Sequence, residues 1–533
     1  MAAQFHLADV FETVAATVPE RLAIVSTSAR LTYAELDARC DRLAAGLAER
    51  GVVRGDTVGL YLMNGPAYLE SFIAAIKLGA VPFNVNYRYR AEELRYLFNN
   101  AGAVAVIHDA EFASVMAEVV GHVPSLRLSV AVGGDAPGSV AYADLLAAEP
   151  KAKTGRSEDD ILLLYTGGTT GMPKGVMWPH KAFFFACAGG GGFFNPNGPS
   201  VTPADIADRV AHAYPLRLMP IAPLMHGAAI WSAWSALAGG ITIVLDEGRV
   251  FDPERLWDTI ARERVSMISI VGDAMAIPLR DALRANPGRW DLASVVNLGS
   301  GGAVFSRHVK DDFRALLPAG ASIIDGMGSS ETGISGMAEP SADGMMRLRA
   351  SDVQAVVLDD RLALPGETGL VARSGHIPVG YFGDAAKTAE TFRTIGGRLW
   401  AISGDSARAE ADGTITVFGR GSTSINSGGE KIFPEEIEEA LRAHPAVLDA
   451  VVAGAPDPRW GESVCAIVSL RPGAEAPGLP TIRAFLRERL AGYKLPRSLI
   501  VVDEVPRSAA GKQDTRWAQR QAASVAASQV EPA

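Results

Sequence analysis

Apolar residues along this chain change period in a regular way. Leu36, Cys40, Leu43 and Leu47 recur at helical spacing and stop before Gly51, and the next apolar run, 58–62, has the length of a buried strand. The pairing then repeats with a helix over 68–78, a strand near Val81, a helix over 91–99 and a strand over 104–108. Such alternation predicts an α/β class in which helices cover stacked, mainly parallel sheets. No repeat of fixed period accompanies it. The stretch 221–245 carries no Asp, Glu, Lys or Arg before its end, but Pro223, His226 and Gly239-Gly240 interrupt it. It therefore predicts a buried helix followed by a strand, not a membrane span.

The pattern shortens at VQAVVLDDRLALPGETGLV (353–371), where brief strands and turns predict a small β-rich subdomain. It changes again after Gly419 and Arg420. A helix over 434–443 opens on Pro434, carries Glu435 and Glu436 in its first turn and sets Ile437 and Leu441 on one face. Strands over 447–453 and 464–470 and a helix over 482–490 complete a compact α+β unit. The expected division is a large N-terminal domain, 1–420, and a small C-terminal domain, 421–533. The Ala-, Ser- and Gln-rich tail beyond Trp517 is expected to be a loose end.

Length and charge narrow the function. A chain of 533 residues exceeds one simple core and implies roughly three or four structural units. Its net charge of -10 disfavours a broad nucleic-acid surface, so a small substrate is expected. Cys40, Cys187 and Cys465 lie far apart without a C-x-x-C pair, which suits a reducing cytoplasm and neither a zinc site nor a disulfide framework. The first residues show no basic region followed by a long apolar block, and the last show no lipidation or peroxisomal signal. A cytoplasmic location is the expectation, with peripheral membrane contact and a homodimer left open.

The chemistry concentrates in LLLYTGGTTGMPKGVMW (162–178). An apolar strand gives way to Gly167, Gly168, Gly171 and Gly175, which let main-chain N–H groups converge, while Thr166, Thr169 and Thr170 add hydroxyl donors and Lys174 adds charge. This composition describes a phosphate cradle; a plain surface turn seldom combines three threonines with a lysine. A Walker loop fails on spacing, because Pro173 precedes Lys174 and Gly175 follows it.

The stretch resembles the phosphate-binding signature of the adenylate-forming superfamily, which includes acyl-CoA synthetases, firefly luciferase and nonribosomal adenylation domains. Only Gly168, in place of Ser, departs from its usual wording. Further segments stand in the order that superfamily requires, over nearly the whole chain: APLMHG (222–227), LGSGGAVFS (298–306), DGMGSSETG (325–333), SGD (403–405) with Gly419-Arg420, and PRSAAGK (506–512). Taken singly, Glu331 reads as a surface glutamate, His226 as a core histidine, Asp405 and Arg420 as salt-bridge partners and Lys512 as a solvated lysine.

The resemblance implies more. Thr166, Gly167, Gly168, Thr169, Thr170, Gly171 and Lys174 would hold the ATP phosphates, and Glu331 with Thr170 would hold magnesium. Gly301, Gly302 and Ala303 would lie against adenine, Asp325 would accept from its amino group, and Gly326, Met327, Gly328, Ser329 and Ser330 would complete that wall. Asp405 and Arg420 would take the ribose. His226 would divide the acyl pocket, formed with Gly227, Ile230, Trp231, Gly301 and Gly328, from the thiol channel. Lys512 would join attacking carboxylate and α-phosphate; Glu331, His226, Thr170 and Lys174 complete the catalytic set. In that superfamily the C-terminal domain is mobile and rotates between half-reactions, here about Ser422, bringing Ser427, Gly428, Gly429 and Lys431 to the site for CoA. Three departures stand out: Met327 replaces the usual adenine-stacking aromatic, Ser330 replaces Thr, and Ser422 replaces the usual hinge Asp or Lys.

The implied activity is ATP-dependent acyl-CoA synthesis through an acyl adenylate, with ATP, Mg2+, CoA and a small carboxylic acid as reactants. Gly168 and the run AFFFACAGGGGFF (182–194) resemble the branch acting on lipid acids, including bulky steroid side-chain acids. The segment GAAIWSAWSALAGG (227–240) offers an apolar, roomy pocket with no charged partner for an ammonium or second carboxylate. Competing readings are an enzyme loading a carrier protein, an aryl or short-chain acid ligase, and a catalytically dead binding homologue; the presence of Lys174, Glu331 and Lys512 weighs against the last.

Overall fold

A computed structural model of the protein describes residues 4–151, 155–166, 173–193, 195–338, 345–420, 425–427, 430–457, 461–490, 492–507 and 513–528. Two eight-stranded sheets form the body. The first is parallel from Val81–Asn84 through Thr57–Tyr61, Ala105–Asp109 and Leu128–Val132, and it gains antiparallel neighbours where Ile161–Thr166 pairs Lys174–Pro179. All five residues of Thr57–Tyr61 are buried, as an uninterrupted apolar strand between two helical layers requires. The second sheet runs parallel through Leu22–Val25, Thr242–Val244, Arg217–Pro220, Met267–Ile270, Asn297–Gly301 and Ser322–Ser329, with an antiparallel strand at each edge.

One continuous core joins the two sheets through the helices Leu7–Thr17, Tyr33–Glu49, Pro66–Leu78 and Gly227–Ala238. Fully buried Trp234 anchors that core, its ring centre 5.4 Å from Phe72 and 6.4 Å from Phe183. The uncharged stretch 221–245 thus resolves into the expected helix, Gly227–Ala238, and strand, Thr242–Val244. Among the described residues no helix is long and apolar enough to cross a membrane.

A seven-stranded sheet built from residues 347–420 forms the β-rich subdomain, and a five-stranded sheet begins at Ile425. In this last unit Pro434–Arg442 starts at its proline, and Leu479–Arg487 begins three residues before the apolar period because Pro480 occupies its first turn. The tail corrects an expectation. It is not a loose end: Thr515–Ser528 is a helix whose Ala518 and Ala522, four apart, are buried against Val451, Ala453 and Cys465. Alanine-rich composition reads as featureless, yet small side chains at helical spacing let a helix lie close on a sheet.

Removal of residues 515–533 is expected to uncover Cys465. That thiol should then react with a thiol reagent under native conditions while buried Cys40 and Cys187 stay protected, as mass spectrometry would show. Protection of all three thiols in the truncated protein would contradict the packing.

Candidate functional site

The strand Ile161–Thr166 delivers the chain to 167–172, and Lys174–Pro179 takes it back, with Thr166 opposite Lys174. Gly167, Gly168, Thr169, Thr170 and Gly171 lie outside the described residues; the two ends of their loop do not. Asn84 secures one end: its side-chain amide donates to the carbonyls of Tyr165 (2.9 Å) and Met225 (2.7 Å), and its oxygen accepts from Tyr165 N (2.7 Å). A single residue therefore ties the phosphate hairpin to the turn that carries His226.

Lys174 Nζ lies 2.6 Å from Asp384 Oδ2 and 5.9 Å from the ring centre of Tyr381, whose hydroxyl donates to Glu331 Oε1 at 2.9 Å. Trp178 Nε1 donates to the Ser330 carbonyl at 2.9 Å, fixing the 325–333 segment to the same hairpin. Lys174's hydrogen bond holds the Asp384 carboxyl below its ordinary value. At 39% and 33% exposure the pair is solvent-screened and easily exchanged, so a phosphate can compete for the ammonium.

Where the resemblance implies adenine binding, Gly301 pairs Gly326 and Ser300 pairs Asp325 across parallel strands. A Cβ at Gly328 would sit 2.5 Å from the Gly333 carbonyl, and Gly302 holds φ +88°, so side chains are excluded where a flat ring would have to slide in. Ala303 follows directly. Asp325 is buried, with Oδ2 2.7 Å from Lys310 Nζ, while Oδ1 has no partner among the described residues. Burial pushes its carboxyl up to about 6, against the pull of Lys310. A buried acceptor left open beside a glycine wall fits a donor such as an adenine amino group. Met327 packs against the β-rich subdomain's core around Leu348 and Val417. Hydroxyls of Ser329, Thr332 and Ser335, each 3.0 Å from the next, shape the turn presenting Ser330 and Glu331.

Asp405 stands opposite Arg420 across an antiparallel pair, and its N–H donates to Ser403 Oγ at 3.1 Å. His226 takes the extended N-cap position of Gly227–Ala238, and with Asn84, Asn86, Tyr89, Tyr165 and Met225 it lines a cavity of about 30 Å³. Gly227 lies beneath the Trp231 ring, where a Cβ would sit 3.0 Å from Cζ2, and Ile230 and Trp231 are buried. The indole N–H groups of Trp231 and Trp234 have no partner among the described residues. Ser427 pairs Glu430 and Gly461, and Lys431 pairs Asn426, on the C-terminal sheet. Ser422, Gly428, Gly429 and Lys512 lie outside the described residues.

Asn84, Lys310, Tyr381 and Asp384 escape a reading of the sequence. GYFGD (380–384) holds a signal, since Asp384 caps the helix Ala385–Thr391 directly after Gly383. Asn84 holds none. Glu12, Asp37 and Asp41, the three-carboxylate group among the described residues, surround buried Lys77 Nζ at 3.3, 2.6 and 2.5 Å and so already neutralise a cation.

Comparison with known proteins agrees with this geometry. The model of the AMP-binding enzyme family matches residues 11–382, and that of the AMP-binding enzyme C-terminal domain matches 436–512. A medium/long-chain-fatty-acid–CoA/3-oxocholest-4-en-26-oate–CoA ligase of Mycobacterium tuberculosis is 44% identical over 98% of this chain and 97% of its own. A 3-oxocholest-4-en-26-oate–CoA ligase of Rhodococcus rhodochrous is 43% identical over 97% and 96%. The crystal structure of the anthranilate CoA ligase AuaEII in complex with anthranoyl-AMP shares the fold, with TM-score 0.85 and 23% identity over 99% of both chains.

The raised carboxyl of Asp325 gives a signed pH dependence. Between its ordinary value of 3.8 and about 6, the folded chain holds a proton that the unfolded chain releases, so this stabilisation is full below that window and lost as pH rises through it. Across the window the change amounts to at most about 3 kcal/mol. The urea midpoint of Asp325→Asn, relative to the unsubstituted protein, should therefore move in the variant's favour from pH 4 to pH 7. A constant difference would contradict the raised carboxyl.

Proposed function

The chain belongs to the AMP-binding enzyme family, and from that premise we propose that it is an ATP- and Mg2+-dependent acyl-CoA synthetase for hydrophobic monocarboxylic acids, lipid and bulky steroid side-chain acids among them. The observation that supports this reading is the link from Lys174 through Tyr381 to Glu331, which brings close together the ammonium that the reading assigns to phosphate and the carboxylate that it assigns to metal. The uncharged helix Gly227–Ala238 begins at His226, next to Met225, which Asn84 ties to Tyr165.

A carboxylate is a poor acyl donor because its leaving group would be oxide. One carboxylate oxygen attacks the α-phosphorus of ATP, the new O–P bond forms as the bond to pyrophosphate breaks, and acyl adenylate results. Thr166 and Lys174, with the glycines and threonines of 167–171, hold the triphosphate; Gly301, Gly302, Ala303 and the 325–330 segment receive adenine, Asp325 accepting from its amino group; Asp405 and Arg420 take the ribose. Mg2+ held by Glu331 and Thr170 would supply positive charge against the β and γ phosphates. Lys512 offsets the repulsion between attacking carboxylate and α-phosphate. The thiol of CoA then gives its proton to water, and its sulfur forms the C–S bond to the acyl carbon as the C–O bond to AMP breaks and AMP leaves.

The two steps react at different atoms, the first at the α-phosphorus and the second at the acyl carbon, and so need different approach paths. A domain boundary near Arg420 with a hinge at Ser422 would serve them: Lys512 withdraws, and Ser427, Gly428, Gly429 and Lys431 arrive. His226 stands between acyl and thiol spaces in this reading. The cytoplasmic assignment belongs to it as well and is supported by three unpaired thiols.

Acid-dependent pyrophosphate release, at fixed ATP and CoA, tests the substrate class. Each buried methylene contributes up to about 0.8 kcal/mol, so kcat/KM should climb steeply from acetate to octanoate and remain high for a steroid side-chain acid. A preference for acetate or an amino acid would overturn the class. Lys512→Ala should nearly abolish adenylation yet spare thioester formation from pre-made acyl adenylate, whereas Gly429→Leu should do the reverse; equal losses in both steps would contradict two arrangements.

A further inference from the structure

The residues on either side of 508–512 are held by charges that the mechanism above leaves unused. Arg507 and Gln513, the residues that flank 508–512, face each other in an antiparallel bridge. Arg507 grips Asp449 with a two-pronged fork, Nε to Oδ2 at 2.8 Å and a terminal nitrogen to Oδ1 at 2.9 Å. Asp449 also accepts from Arg442 Nε at 3.2 Å. Arg442 in turn reaches Glu438 Oε2 at 3.2 Å and the Ala450 carbonyl at 2.9 Å. Glu438 accepts from Gln513 Nε2 at 2.8 Å and from Val452 N at 2.9 Å. The contacts close a ring: Arg507, Asp449, Arg442, Glu438, Gln513, and back through the bridge.

The ring is deep. Arg442 and Glu438 are 2% and 1% exposed, and although burial works against ionisation, Arg507 and Arg442 hold the Asp449 carboxyl below its ordinary value. Buried ion pairs add little net stability over apolar packing, but removing one partner strands a charge and is costly. Their attested use is to fix register. What lies between the two ends of this ring is the segment carrying Lys512, a long, flexible side chain whose charge must meet a transition state to within a fraction of an ångström.

We propose that Arg507 and Gln513, gripped by Asp449 and Glu438, are positioning residues that fix both ends of the lysine-bearing segment for the adenylation step. The inference rests on the reading of Lys512 given above. It attributes no contact with substrate to the ring.

The test separates the two half-reactions, following single-turnover acyl-adenylate formation and thioester formation from pre-made adenylate. Arg507→Gln should slow the first by about 10- to 100-fold and change the second by less than about twofold. Arg507→Lys, which keeps the charge but loses the fork, should fall between Arg507→Gln and the unsubstituted enzyme. Gln513→Met, which strands no charge on its own side chain, should show the same selectivity in milder form and serves if Arg507→Gln does not fold. In a Lys512→Ala background Arg507→Gln should add less than about twofold, because both changes act through one group. If Lys512→Ala leaves adenylation intact, the lysine reading falls and the positioning role with it. If Lys512→Ala abolishes adenylation while the ring variants leave it untouched, or depress both half-reactions equally, the positioning role alone is overturned.

Discussion

The side-chain amide of Asn84 joins the two eight-stranded sheets where their functions meet. It holds Tyr165, at the end of the phosphate hairpin, and Met225, next to His226 at the head of the uncharged helix. Asn64 reinforces the junction by donating to the Ala222 carbonyl at 3.2 Å and accepting from Leu224 N at 2.7 Å. Amides withdrawn even partly from water are costly unless their groups are satisfied, and these two half-buried amides make these bonds only when both sheets keep one relative position. In the proposed reading, the spacing between the triphosphate and acyl sites would follow from that position.

Charge is distributed sparingly around the junction. A carboxylate approaching a triphosphate needs cations, but a cation held too firmly by protein carboxylates cannot serve. Lys174 pairs with Asp384 at the solvent edge, where the bond is weak. Lys310 is committed to Asp325 in the interior, leaving one buried carboxylate oxygen open to a donor. The acyl side carries apolar surface and two indole N–H groups. The three environments, ionic at Lys174, half-satisfied at Asp325 and apolar at the helix Gly227–Ala238, match in kind the parts of the acyl adenylate in the proposed reaction.

The small C-terminal unit solves a different problem. It is joined to the β-rich subdomain by a short run past Arg420, and the rings of Phe418 and Phe433 stack 4.5 Å apart across that run. Its own five-stranded sheet, tail helix and buried ionic ring make it a self-contained body. Under the proposed rotation between half-reactions, internal rigidity of this kind would bring what the domain carries to a defined place.

Much of this is legible in the sequence because it is local. The helix Tyr33–Glu49, the strand Thr57–Tyr61 and the break at the β-rich subdomain each follow from the spacing of apolar side chains over a few turns or residues. The paired strands on either side of 167–172 are legible because an apolar run stops at glycines, hydroxyls and a cation, the composition expected of a phosphate cradle. The tail helix is misjudged from sequence because alanines at 518 and 522 carry a weak apolar signal, and only the sheet beneath them shows what they cover. Asn84, Lys310, Tyr381 and Asp384 belong to a different category. Lys174 meets Asp384 across 210 positions, Asn84 meets Met225 across 141, and Tyr381 meets Glu331 across 50. Sequence periodicity reports which face of an element is buried; it holds no record of which distant side chain stands opposite. That was decided by the packing of the two sheets, since hydrogen bonds and ion pairs act over about 3 Å in space, whatever their separation along the chain.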